Sequence, residues 1–314
     1  IVMVNWIEKK SEIIYGNKDK SERMDINKDI NLFIADTREK QLKIKSDFQD
    51  LFLQVFQKSL NTIQWEHFYL NCPRGQTVSF TYYYKNIMIA HAGLIPQQLM
   101  SNGGRIVDYF LQTGIMVRKE FQNLVMFKNL MDKISGYVEE QDRFSLAFPN
   151  NNAYLPFVKM LGWNLVREYS IIQFKIIDGN DTYLTGGQAR EHETFEYDLD
   201  LDSKFVLWRG ELNELFESVN DEYKIIFKDY EGSLEVMYAS LCYKGSFIPI
   251  SKIAAESGFQ SVNIPECFFN IISLNNLRKE KTVGITQKMC FYPFQVDNVS
   301  YESIRPSLLL SDVF

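Results

Sequence analysis

A chain of 314 residues with 46% apolar side chains is long enough for two domains or one enlarged domain, each with an ordinary buried core. Its 34 basic and 40 acidic residues leave a net charge of -6, which gives no long-range attraction to nucleic acid or to an anionic membrane. Cys72, Cys242, Cys267 and Cys290 stand far apart with no Cys-x-x-Cys pair, so neither a zinc knuckle nor a disulfide framework is indicated, and the usage fits a reducing cytoplasm.

Residues 1–15, beginning IVMVNWIEKK, alternate enough to suggest a first strand, and this start is too short and wrongly flanked for a signal peptide. No run approaches the roughly 20 apolar residues of a membrane-spanning helix. The start on Ile1 rather than Met leaves room for residues upstream. Residues 16–28 read as a charged loop, with the short strand INLFIA after it. Ser46 with Gln49 three positions on makes a capping-box arrangement, and Phe48, Leu51, Phe52, Val55 and Phe56 recur at helical spacing, which predicts a helix over 47–60. NCPRG then supplies a turn, and TVSFTYYY and IMIAHAGLIP, separated by Lys85 and Asn86, predict a hairpin. RIVDYFLQTGIMV continues that sheet and leads into a helix over 119–134, with Phe121, Leu124, Val125, Phe127, Leu130, Met131 and Ile134 on its stripe.

FSLAFP is a central strand broken by Pro149 and the asparagines at 150–152, a short helix over 153–161 ends at Gly162, and REYSIIQFKII is the last strand of this half. Residues 178–202 are polar and acidic and carry Gly179, Gly186 and Gly187, as a linker or long excursion would. Next come a helix over about 201–219, two or three strands in YKIIFKDYEGSLEVMYASLCYKG with turns at Glu231–Gly232 and Lys244–Gly245, and a short helix in SKIAAESGF. PECFFNIISLNNLRKE reads as a further helix and KTVGITQKMCFYPF as a closing strand. Helix, strands, helix is also the order of the first half, so a weak internal repeat is an option, with Trp65 and Trp208 as rough counterparts. The two halves would set their sheets side by side or leave a cleft between them.

Chemistry is concentrated where the strand ending at Val117 hands over to a helix, MVRKEFQNLVMF. Free N–H groups and aligned peptide dipoles at a helix N-terminus hold phosphate without basic side chains, and Arg118 and Lys119 would add charge. Glycine would be expected where backbone meets phosphate oxygens, and its absence leaves a plain packed junction as the alternative. Three scattered histidines make no metal triad, there is no H-E-x-x-H, no G-x-S-x-G and no Walker loop, and Gly103–Gly104 and Gly186–Gly187 lack the strand-to-helix context of a nucleotide fingerprint. Cys72 would be a nucleophile only if a histidine such as His67 approached it in space.

Trp65, then Asn71, Pro73 and Gly75, then KNIMIAHAGLIP, TGIMVRKEFQNLVMFKNL and FSLAFPNNNAYLPFVKMLGWNLV form a pattern that resembles the GCN5-related N-acetyltransferase superfamily, in particular large bacterial members found with surface-polysaccharide and amino-sugar genes. The resemblance covers about residues 65–169, and AFPNNNAY...F...LGW is its most specific piece. It implies an α/β, α+β mixed-sheet, acyl-CoA N-acyltransferase fold. The family's coenzyme loop, Arg or Gln followed by x-x-Gly-x-Gly or Ala, falls on Gln122, Asn123, Leu124, Val125, Met126 and Phe127; Gln122 matches, while Val125 and Phe127 replace the two small residues. The resemblance further implies that Met116 and Val117 lend backbone groups to the pantetheine, that Asn152 lies near the thioester, and that Tyr154 protonates the departing thiolate. His91, in an apolar strand, is a candidate to take the acceptor's proton or else a hydrogen-bonded core residue; Asp108 and Glu120 are further acids nearby, and His67 and His192 join no cluster.

The expected organisation is an N-acyltransferase domain over 1–177, a polar stretch over 178–202, and a second α+β domain over 203–314, as a degenerate second copy in tandem. The expected activity is acetyl or acyl transfer from coenzyme A, with acetyl-CoA as co-substrate, to an amine of a sugar or small amino compound. A non-catalytic sugar- or protein-binding module is the alternative, and aminoacyl transfer from tRNA is a third option that the net charge of -6 disfavours. No metal, nucleic acid or membrane partner is expected; copies of the same chain in a homo-oligomer are.

Overall fold

In the computed structural model, which describes residues 29–177, 195–212, 214–243, 246–292 and 299–311, the first helix starts well before Ser46. β1 (Ile30–Ala35) is followed by Thr37, whose extended backbone and side chain, accepting from the Lys40 N–H at 3.3 Å, cap α1 (Arg38–Phe56). Ser46 lies inside the helix, where every N–H already has a backbone acceptor, so its capping-box pattern has nothing to cap. The early turns were hidden by their charge: only Gln41 and Ile44 point inward there. Gln41 donates to the carbonyls of Ala35 at 2.7 Å and Thr77 at 2.8 Å and accepts from the Ser79 hydroxyl at 3.1 Å, tying α1 to two strands. The expected strand over 1–15, the loop over 16–28 and the turn at Lys244–Gly245 lie outside the described residues.

After α2 (Thr62–Leu70) come β2 (Val78–Tyr84) and β3 (Ile87–Ser101), an antiparallel hairpin as expected, with Lys85 and Asn86 both at positive φ in its two-residue turn. β4 (Ile106–Val117), α3 (Leu124–Glu140), β5 (Phe144–Ala147), α4 (Asn151–Met160) and β6 (Asn164–Ile176) complete the first half. The helix expected over 119–134 is a short 3-10 turn at Lys119–Phe121 and then α3, which starts only after Asn123.

In the second half β7 (Tyr197–Leu199) precedes α5 (Ser203–Gly210), β8 (Leu215–Val219), β9 (Tyr223–Tyr230), β10 (Ser233–Leu241), α6 (Ile250–Glu256), β11 (Ser261–Pro265), β12 (Leu277–Tyr292) and α7 (Leu308–Ser311). The helix expected over 201–219 therefore stops at Gly210, and LFESV is an edge strand paired with β9. PECFFNIISLNNLRKE is not a helix either. Pro265 closes β11, residues 266–268 make one 3-10 turn, Asn276 takes a positive φ of 59°, and β12 begins directly after it. Phe268, Ile271 and Ile272 are buried, but from a turn rather than from a helical face.

All strands but β7, which pairs β3, run through one sheet in the order β1-β2-β3-β4-β5-β12-β6-β11-β10-β9-β8. β12 is antiparallel to β5 on one side and to β6 on the other. A boundary that assigns 203–314 to a separate domain thus fails for residues 277–292, which lie in the middle of the sheet between two strands of the first half. The pairing rules repeat on the two flanks: β2, β3 and β4 are successively antiparallel and β5 is parallel to β4 after α3; β8, β9 and β10 are successively antiparallel and β11 is parallel to β10 after α6.

Two contacts lock the halves. Arg74 pairs with Asp200 at 2.6 Å, largely out of solvent, and with the more exposed Asp202 at 2.9 Å. Trp208 of α5 stacks on His67 of α2 at 4.6 Å between ring centroids, and its indole N–H donates to the His67 carbonyl at 3.2 Å. Trp65 packs instead against Tyr69 and Phe48 under the first half. Among the described residues no helix is long and apolar enough to cross a membrane.

A chain ended at residue 276 lacks β12 and leaves β5 and β6 with open edges at mid-sheet. It is expected to lose cooperative urea unfolding and near-UV circular dichroism; a sharp, native-like transition would show that the first half stands alone.

Candidate functional site

The sheet is interrupted at one strand. β5 has four residues where its neighbours β4 and β12 have 12 and 16. β4 and β5 pair in parallel from Tyr109–Phe144 to Gln112–Ala147, and β12 reaches the same end with Cys290 opposite Ala147. There the chain leaves the sheet through Phe148 and Pro149, and Asn150 caps α4 by accepting the Ala153 N–H on its side chain at 3.0 Å. β4 continues to Val117, so a gap opens between β4 and β12, about 10 Å wide at two strand spacings.

One wall of the gap is bent. Opposite β3, Thr113 pairs with Gly93 and Met116 with His91, so Gly114 and Ile115 together face Ala92 in a β-bulge. Gly114 has φ +58°, and a Cβ there would come within 2.5 Å of the Tyr69 hydroxyl and 3.2 Å of the His91 ring. The His91 Nδ1 lies 2.7 Å from the Gly114 carbonyl, which can only accept, so the proton is on Nδ1 and Nε2 is bare. His91 is fully buried against Phe48 and Tyr69, Nε2 has no partner, and burial pushes its pKa down to about 4. Its ring supports the bulge from beneath.

At the mouth of the gap, the Arg118 N–H bonds to the Ile89 carbonyl at 2.7 Å, so strand alternation turns the backbone groups of Val117 toward the opening. The Val117 carbonyl is taken by the Gln122 side-chain amide at 2.9 Å. The Met116 and Val117 side chains are buried in the cores on opposite faces of the sheet. Asn123 caps α3 by accepting the Met126 N–H on its side chain at 2.8 Å, and its carbonyl accepts the Phe127 N–H at 3.2 Å. The Leu124 and Val125 N–H groups have no acceptor among the described residues. Phe127 turns into the core against Phe157, clear of the helix end, whereas Val125 is 69% exposed on it. Of the two departures from a small-residue loop, only Val125 stands where an anion would approach.

On the far wall Lys288 of β12 reaches α4. Its ammonium donates to the Asn151 side chain at 2.7 Å, pairs with Glu168 at 3.1 Å, and sits 5.4 Å from the centre of the half-buried Tyr154 ring. Asn152 lies in the same first turn of α4. Gln112, the last residue of β4 paired with β5, is 6% exposed and its side-chain oxygen has no partner. The structure thus brings Val117, residues 122–127 and Tyr154 to one opening and sets His91 behind it.

The other candidates lie elsewhere. Asp108 is held by Gln98 at 2.8 Å and Arg143 at 3.2 Å, Glu120 sits in the exposed 3-10 turn, and His192 is outside the described residues. The Nδ1 of His67 lies 3.1 Å from Glu211, and burial lowers its pKa. The Cys72 thiol donates to the Pro96 carbonyl at 3.4 Å and is pushed up to about 11 by burial, which is the opposite of an activated nucleophile. Among the described residues no group of three metal-ligating side chains occurs. Sequence reasoning missed Gln112, Gly114 and Lys288. A glycine inside a strand is the usual mark of a bulge and could have found Gly114; nothing local points to the other two.

No protein-family model matches the chain, and no match was found among curated proteins. Solved structures do share its fold. A GCN5-related N-acetyltransferase from Kribbella flavida matches at a TM-score of 0.56 and 15% identity over 84% of this chain and 71% of that one. A probable N-acyltransferase from Enterococcus faecalis V583 matches at 0.57 and 12% over 83% and 72%. A GCN5-related N-acetyltransferase from Anabaena variabilis matches at 0.52 and 12% over 83% and 72%. The chain therefore has the mixed α/β fold of the GCN5-related N-acetyltransferases.

Gly114→Ala combines a left-handed backbone cost with overpacking against Tyr69, and is expected to destabilise by about 2–4 kcal/mol in urea unfolding. Because the folded pKa of His91 lies below the unfolded value near 6.5, its contribution to stability is full above about pH 6.5 and is lost as pH falls toward 4, by up to about 3 kcal/mol. In His91→Gln the stability curve over that window should flatten by that amount; an unchanged slope would show that His91 is protonated in the fold.

Proposed function

We propose that the chain transfers an acyl group, acetyl in the simplest case, from coenzyme A to an amine of a sugar or small amino compound in the cytoplasm. The observation that carries this reading is the opening past Gln112 and Ala147, bounded by the bulged end of β4, the N-terminus of α3 and the first turn of α4, in a fold shared with N-acetyltransferases. The residues fit an acyl-coenzyme A in part. The amides of Leu124 and Val125 are free to meet a pyrophosphate, Gln122 fixes the loop to β4, and Val117 turns its N–H into the gap. Asn123, through its own cap, and the exposed Val125 side chain narrow that anion site. When bound, the coenzyme supplies an activated thioester carbonyl. The Val117 N–H is then a donor available to the pantetheine arm, and the Tyr154 phenol is the proton donor available at sulfur.

For His91, burial and the bond to Gly114 support a positioning role, holding the bulge that aims Val117, in place of the proton-accepting role considered from the sequence. The repeated pairing rules on the two flanks support reading the second half as a degenerate copy that has exchanged its last strand with the first. Expected partners are the small acceptor and further copies of the chain, without nucleic acid or membrane. The self-capped α3 favours one second reading, a non-catalytic module of the same fold that binds a sugar or a protein.

Acetyl-CoA should raise the melting temperature of the full chain by mass action, by about 2.7 kcal/mol of stability at 100 times its Kd. No shift at millimolar concentration would favour the module. With a panel of amino sugars and polyamines as acceptors and free thiol as the readout, Tyr154→Phe should transfer acetyl about 100-fold more slowly while its acetyl-CoA affinity stays within about twofold. Equal losses in both would make Tyr154 structural.

A further inference from the structure

Gln112 closes the gap at its narrow end. It is the last residue of β4 opposite β5, its partner Ala147 is small, and in a directly paired position the two side chains share the α3–α4 face. The side chain is more than nine-tenths buried, and its amide oxygen has neither a protein donor nor solvent. A buried acceptor left unmade costs about 1–3 kcal/mol, whereas leucine or methionine would fill the same place without that cost. Native structures keep such a group where a ligand or a bound water supplies the donor.

The position says which part of a ligand arrives there. Under the acyl-transfer reading, on which this inference rests, the anionic end of the donor lies at the α3 N-terminus, next to Val117. The five steps from Val117 back to Gln112 cover about 17 Å at a strand's rise, the order of length of an extended pantetheine arm. The group that reaches Gln112 is therefore the acyl group. Beyond it β4, β5 and β12 are hydrogen-bonded to one another, so the chain must be short.

We propose that Gln112 selects a short acyl group that carries its own hydrogen-bond donor, a hydroxyacyl rather than a plain alkanoyl thioester, with the acyl hydroxyl donating to the Gln112 side-chain oxygen. A site built around a buried acceptor rejects an analogue without the donor, because the acceptor then stays unpaired in the complex. An apolar pocket shows no such preference, since an added hydroxyl there gains nothing.

The test uses two matched pairs of thioesters that differ by one hydroxyl, 3-hydroxybutyryl-CoA with butyryl-CoA and 2-hydroxypropionyl-CoA with propionyl-CoA, titrated into the full chain by calorimetry beside free coenzyme A. In the native chain the hydroxylated member of at least one pair should bind tenfold or more tightly than its partner, and in Gln112→Met that ratio should fall to about one. The apo Gln112→Met chain should melt no lower than the native one, since a buried unmet acceptor has been removed. Equal affinities within both native pairs, or a preference that persists in Gln112→Met, overturn the role of Gln112 while free coenzyme A binding leaves the acyl-transfer reading standing. If neither coenzyme A nor any thioester binds, that reading fails and the selection by Gln112 fails with it.

Discussion

The fold turns on a strand that stops early. Pro149 has no N–H to give a ladder and Asn150 is already committed to capping α4, so the segment after Ala147 has no means of continuing between its neighbours. β4 and β12 do continue, and the absence of a strand between them exposes the inward-facing backbone of β4 without any loop having to be held open. An aperture made by omission is rigid, because both walls are anchored in paired sheet on their far sides. The bulge at Gly114 then rotates the exposed edge, and it is kept in place by burial of His91 and Tyr69 below it.

The second wall comes from far along the chain. Lys288 meets Asn151 across 137 positions of sequence, and β12 can reach its place only after the whole second half has been laid down. Ordering such a non-local strand is entropically costly and is offset by two full ladders, to β5 and to β6, and by the clasp of Arg74 and His67 on the segment that leads into α5. The buried Arg74–Asp200 pair is poor evidence of net stability, but removing either partner strands the charge of the other, so the clasp fixes one arrangement of the halves. The opening is therefore a property of both halves together, although every residue that resembles an acetyltransferase motif lies in the first.

What could be read from the sequence follows from range. The hairpin at Lys85–Asn86, β4, β5 and the asparagine-capped α4 are written in local periodicity and turn chemistry, and all are present. The extent of α1 was hidden because its first turns carry charge on almost every face, and the Ser46 pattern was a false start that the true cap at Thr37 pre-empts. The second half misled more. LFESV has too few residues to show its period beside a helix, and Phe268, Ile271 and Ile272 imitate helical spacing from a turn. The place of β12 is a matter of pairing between distant segments, on which periodicity is silent. The same limit applies to the site: residues 122–127 and Tyr154 were within reach of a motif, whereas Gln112 and Lys288 acquire meaning only from what lies across the sheet.

The end of α3 shows how a departure from a motif is resolved by packing. With Phe127 in place of a small residue, the simplest expectation is a ring in the path of a phosphate, yet the ring lies in the core against Phe157 and contributes burial instead. Val125 cannot do the same, because the helix turn that directs residue 127 inward directs residue 125 outward. Asn123 meets the helix's need for an acceptor, a contribution of about 1 kcal/mol, and in doing so removes the Met126 amide from any anion. Two amides remain, at Leu124 and Val125, under a dipole that still favours negative charge. An anion bound there would be held by fewer donors and at a greater distance from the backbone than a glycine loop permits.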